Sequence, residues 1–151
     1  MIKQCVYVGM LLFYNNDEVF YLMKSIEAKI LLYSFKDEIQ QEKIQKLLNK
    51  LQIKWEVLAA ADSCQKIGYL VGSKGFKEAE QSDEPFDFDH EVMVFYNIKG
   101  KRLDQVLLEM KAADINPIKF KAVVTPFNMF WSLRRLCETV YKEHAAMIDK
   151  G

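Results

Sequence analysis

Apolar residues in this chain fall into short continuous runs that alternate with spaced stripes, and the alternation occurs twice. "KILLYSF" (29–35) and "EVMVFYNI" (91–98) are runs of strand length, rich in residues that favour a pleated surface. Behind each comes a helical stripe: Ile44, Leu47, Leu48 and Leu51 in one case, Leu103, Val106, Leu107 and Met110 in the other. Their shared spacing gathers four apolar side chains on one helical face. Two segments that open alike follow, "IKWEVLAAAD" from Ile53 and "IKFKAVVTPF" from Ile118. Each reads as a short strand handing over to a helix. Residues 36–43 and 99–102 supply polar turns into the first helix of each half, and Pro117 bars continuation of the later one. The predicted plan is strand, helix, strand, helix, given twice as a weak internal repeat.

Two β-α-β units of this length each make a right-handed crossover. Packed side by side, they share one four-stranded sheet. That predicts an α/β protein of the α+β two-layer sandwich kind, in a ferredoxin-like arrangement with extra helices after the second and fourth strands. The alternative is a small parallel sheet with helices on both faces. Residues 23–148 then form a single α/β domain of two similar halves, 29–72 and 91–148, joined by an acidic connection at 73–90. That connection holds Gly75, Pro85 and the carboxylates of Glu78, Glu80, Asp83, Glu84, Asp87 and Asp89. Its Phe76, Phe86 and Phe88 are too apolar for a free linker, so part of it is expected to lie on the domain surface.

The N-terminus reads differently. "CVYVGMLLFY" (5–14) is about half the length of a membrane-spanning helix, and "NNDEVF" follows where a signal peptide would carry small residues. Met23 opens "MKSIEAKILLYSF" like an ordinary bacterial start, and Glu18-Val19 can be encoded by a ribosome-binding-like sequence. Residues 1–22 are thus either a translated leader or an N-terminal strand or helix packing on the domain.

Composition narrows function by exclusion. Basic and acidic residues balance at 21 each, which argues against a protein that lives by gripping phosphate backbones. Cys5, Cys64 and Cys137 are an odd, dispersed set with no C-x-x-C, so a reduced, cytoplasmic protein is expected. Gly68, Gly72 and Gly75 lack the spacing of a phosphate loop, and helix termination accounts for Gly72 or Gly75. Asp87, Asp89 and His90 form an acidic surface loop rather than a metal site, because nothing holds them on one rigid element. No metal, cofactor or catalytic residue is assigned.

The most pointed stretch is "KAVVTPFNMFWSLRRLCETVYKEH" (121–144). A β-branched run ends at Thr125-Pro126, Asn128 offers an N-cap, and a helix follows with Leu133, Leu136, Cys137, Val140, Tyr141, His144, Met147 and Ile148 on one stripe. Trp131 is expected as a first-turn anchor, and Arg134 with Glu138 as an i,i+4 pair. Cys137 faces inward. The same geometry could hold a ligand, since free N–H groups gather where strands end and helices begin. Thr125, Asn128 and Trp131 are the candidate ligand-binding residues, with Glu143 and His144 as further polar members. Adjacent helical residues diverge by about 100°, which makes Glu143 and His144 an awkward acid–base pair.

This stretch resembles the signature of a bacterial domain-of-unknown-function family of small cytosolic proteins, largely from Firmicutes. Its pattern is Lys-Ala-Val-x-Thr-x-x-Asn-x-x-Trp and a helix ending in Glu-His. The matching positions are Lys121, Ala122, Val123, Thr125, Asn128, Trp131, Leu136, Glu143 and His144. The likeness extends through "VMVFYNIKGKRLDQVLLEMKAADI" and "QKIGYLVGSKGF" to cover most of 29–148. It implies no activity.

The expected function is non-catalytic: a cytoplasmic module that binds a protein partner, itself as a homodimer, or a small ligand at the 125–131 joint. The alternative is an enzyme using Thr125, Asn128, Glu143 and His144. A second alternative, nucleic-acid binding, would use a basic patch at Lys121, Arg134 and Arg135, but no aromatic strand motif accompanies it. No membrane association is expected.

Overall fold

The computed structural model describes residues 27–150; the leader reading of residues 1–22 lies outside the described residues. The first half runs β1 (Lys29–Tyr33), α1 (Glu38–Lys50), β2 (Lys54–Leu58), a 3-10 turn (Ala60–Cys64) and a single-turn α2 (Ile67–Leu70). The second runs β3 (Val92–Tyr96), α3 (Gly100–Ala112), β4 (Phe120–Val123), a 3-10 turn (Asn128–Phe130) and α4 (Leu133–Lys150).

Local chemistry sets the element ends. The Asp37 carboxylate accepts from the backbone N–H groups of Ile39 and Gln40, capping α1. α1 and α3 stop in the same way. Gln52 and Asp114 take the left-handed conformation at φ 59° and 58°. The next residue then donates back into the helix, Ile53 N to Leu48 O at 2.9 Å and Ile115 N to Met110 O at 3.1 Å. Ser34 and Asn97, also left-handed at φ 63° and 57°, turn the chain out of β1 and β3. Gly72, at φ 80°, ends α2, where Ser73 N donates to Gly68 O at 2.8 Å.

The sheet order is β2-β1-β3-β4, with β1 parallel to β2, β3 parallel to β4, and an antiparallel centre where Leu31 faces Val94. The two units share one four-stranded mixed sheet, as expected of an α+β protein. A ferredoxin-like split unit would place a strand of the other half between its two parallel strands. Here each parallel pair is directly hydrogen-bonded, so the units lie side by side.

Alternation along the strands feeds two cores. Ile30, Leu32, Met93 and Phe95 point to one face, packed under α1 and α3 through Ile44, Leu48, Val106 and Met110. Leu31, Tyr33, Val92 and Val94 point to the other, packed under α2 and α4 through Ile67, Leu70, Leu133, Leu136 and Cys137. The crossover helices thus lie on one face, as the sandwich reading has them, and the added helices lie on the opposite face. The result is three layers, which extends the two-layer expectation: covering both faces buries β1 and β3 except for Lys29 and Tyr96 at one end of each, and this is why they read as unbroken apolar runs.

The halves meet again outside the sheet. Lys66 bridges Ser132 in antiparallel fashion, with Ile67 N donating to Trp131 O and Leu133 N to Gln65 O, both at 2.9 Å. The connection 73–90 lies against this second face. Gln65, itself buried, clasps the Ala79 backbone with both side-chain atoms, and Ser34 Oγ donates to Phe88 O. Phe76 lies so close over Gly68 that a Cβ there would stand 2.4 Å from its ring. Among the described residues no helix is long and apolar enough to cross a membrane.

Candidate functional site

β4 ends at Val123, and the chain must turn sharply before α4. Thr125 and Asn128 make that turn by serving each other. Thr125 N donates to Asn128 Oδ1 at 2.7 Å, Asn128 N donates to Thr125 Oγ1 at 3.1 Å, and Asn128 Nδ2 donates to Val123 O at 2.9 Å. Phe127 N also donates to Thr125 Oγ1. Both side chains are therefore engaged with their own backbone and hold the corner.

The helix begins later than the N-cap reading of Asn128 has it. Asn128 opens the 3-10 turn, and α4 starts at Leu133 with Ser132 Oγ accepting from Arg135 N. Trp131 consequently sits in extended conformation ahead of the helix, where its carbonyl receives the Ile67 N–H. The reason is the cross-half bridge at Ser132, which holds residues 131 and 132 extended until the helix can start.

What the corner presents to solvent is apolar. Phe127 is 76% and Phe130 60% exposed, and Pro126 beside them is also exposed. Phe130 rests against Phe76 of the connection, ring centroids 5.2 Å apart. Arg135 covers the half-buried Trp131, its guanidinium 4.5 Å from the ring centroid.

Each of the basic-patch residues has a partner within the chain. Arg134 pairs with Glu84 and Glu138 and lies 5.2 Å from the Phe86 ring. Arg135 lies on Trp131, and Lys121 Nζ donates to Ile118 O. Arg134 fastens the acidic connection to α4, and Lys36, in the turn between β1 and α1, fastens it from the other half by pairing with Asp89.

The residues of the enzyme reading fall into two separate pairs, Thr125 with Asn128 at the corner and Glu143 with His144 far along α4. His144 packs edge-on against Phe120 at the start of β4, whereas Thr125 follows its end. Along α4 the rise from Leu133 to Glu143 is about 15 Å. Cys137 offers no alternative nucleophile, because burial pushes its thiol up to about 12, leaving negligible thiolate at neutral pH.

One grouping escaped sequence reasoning. Phe88, His90, Phe120, Tyr141 and His144 form an aromatic cluster, with His90 and His144 each 5.2 Å from the Phe120 ring. Its members Phe88, His90 and Tyr141 line an open groove of about 450 Å³ together with Asp87, Asp89, Arg134, Glu138 and Lys142. It exists only because the connection folds back across α4, and no local pattern announces that. Among the described residues no group of three or more His, Cys, Asp and Glu side chains is placed to hold a metal ion.

No curated protein and no solved structure matches the chain. Residues 91–147 match the family model described as Domain of unknown function (DUF3783), so a DUF3783 domain spans β3, α3, β4, the corner and nearly all of α4.

Proposed function

We propose that this protein is a non-catalytic cytoplasmic module that docks a protein partner on the corner at 125–131. The observation that carries the proposal is the pair of exposed rings, Phe127 and Phe130, on a turn whose own polar groups are satisfied. A rigid corner presenting two large apolar side chains loses little conformational freedom on binding, which is what an interface anchor requires. Arg135, stacked on Trp131, adds a rim cation suited to a carboxylate on the partner. The free thiols of Cys64 and Cys137 agree with a reducing compartment.

We also infer that the two halves are copies of one unit. Matching left-handed residues at Ser34 and Asn97, and at Gln52 and Asp114, support this reading. So do the corners, where Ala59 N donates to Asp62 Oδ2 as Thr125 N donates to Asn128 Oδ1.

The docking proposal is tested by placing a photoreactive phenylalanine analogue at position 127 or 130 in the cells that make the protein. A control carries it at Leu108, which is 67% exposed on α3. A discrete protein adduct from 127 or 130, absent from 108, supports the reading. The same adducts from all three positions, or none from any, sinks it.

A further inference from the structure

We infer that two copies of this chain associate through the free edge of β2, pairing antiparallel about Trp55. β2 is an edge strand, and no strand borders its outer side among the described residues. Such edges are usually blunted by proline, a bulge, a covering segment or unopposed charges such as lysine, and the two charges on β2 are of opposite sign, so a second copy can meet them rather than be repelled. β2 has no proline, and its register with β1 runs unbroken from Lys29 opposite Lys54 to Tyr33 opposite Leu58. An open groove of about 670 Å³ lies along it, bordered by Asn49, Gln52, Lys54, Trp55 and Glu56, so the edge is approachable. Further along β2, Val57 is 43% exposed.

The charges on β2 choose the register. In a two-fold antiparallel pair only residues on the same face can stand opposite each other, so the axis must pass through a residue. Centred on Glu56, the pairing opposes two carboxylates; centred on Lys54, it opposes two ammonium groups. Centred on Trp55, it sets Lys54 of each copy against Glu56 of the other, and Ile53 against Val57. That register alone places opposite charges together and covers the exposed valine. Lys54 is held by Glu27 at 2.8 Å and Glu56 by Lys29 at 2.7 Å, which orients both side chains. An ammonium has three donors and a carboxylate two oxygens, so each retains capacity for a cross-chain partner. This surface is separate from the corner at 125–131 and does not depend on that reading.

The test is sedimentation velocity of the full chain over a concentration series at low salt. The wild type is expected to dimerise. Lys54→Glu and Glu56→Lys each put like charges opposite at two symmetric contacts, and each should weaken the dimer by about tenfold or more. The double variant Lys54→Glu/Glu56→Lys restores opposite charges and should restore the dimer. Val57→Lys, on the other face and outside both ion pairs, should also weaken it, and serves should a charge variant fold poorly. A wild type that stays monomeric throughout the series overturns the inference. So does a folded double variant as weak as the singles, or an undisturbed dimer in Val57→Lys.

Discussion

The corner at 59–65 and the corner at 125–131 use one hydrogen-bond scheme and present two different surfaces. In each, a side-chain oxygen, from Asp62 or Asn128, receives the N–H of the residue that leaves the strand. In each, a 3-10 turn leads to an extended pair that bridges to its counterpart. Where the second corner sets Phe127 and Phe130 into solvent, the first carries Ala61 and Cys64. Backbone economy explains what the two share, because any sharp exit from a buried strand must satisfy its amides. It does not explain the phenylalanines, which is why they carry the functional proposal.

The comparison can be broken most forcefully at the amides themselves. Asn128→Ala strands two half-buried backbone groups, Thr125 N and Val123 O, and should cost about 2–3 kcal/mol in urea unfolding. Asp62→Ala strands only Ala59 N, at an exposed position, and should cost about 1 kcal/mol. Equal losses would mean that the Asn128 bond to Val123 adds nothing.

A smaller effect of opposite sign separates the helix ends. Gln52 holds a left-handed conformation that a glutamine adopts poorly, whereas an aspartate such as Asp114 tolerates it better. Gln52→Gly should therefore raise stability by about 0.5–1 kcal/mol, and Asp114→Gly by less, measured by the same unfolding series.

The smallest effect is electrostatic. Glu91, just ahead of β3, has its carboxyl raised by burial and then by the nearby Asp37, while the place just ahead of β1 is held by Ala28. A carboxyl raised on folding binds more protons in the native state than in the unfolded one. Stability should then fall as pH rises from the ordinary glutamate range through the raised folded value. Glu91→Gln should remove that slope and leave the protein modestly more stable at neutral pH, read from melting temperatures across pH 4 to 8 (about four units).

Much of this fold was legible because its signals are local. The runs at 29–35 and 91–98 announce strands buried on both faces, and the stripes at Ile44 and Leu103 announce helices with one apolar side. Strand order was not legible: a β-α-β unit has the same sequence pattern whether or not another strand slips between its members. The corner was half legible. Thr125, Asn128 and Trp131 stand where the chain turns, but the start of α4 is fixed by Ser132, whose extended neighbour is held by Gln65 and Ile67 from the other half. The aromatic cluster around Phe120 was hidden for the same reason, since His90 arrives on a connection with no periodicity of its own.

The small bridge at Lys66 and Ser132 also bears on how the chain reaches its native state. Each of its two hydrogen bonds joins residues far apart in sequence, so the entropic cost of closing that loop falls before either bond is made. A half assembled by itself would leave the Ile67 or Leu133 amide without its acceptor. Each corner therefore completes the backbone pairing of the other.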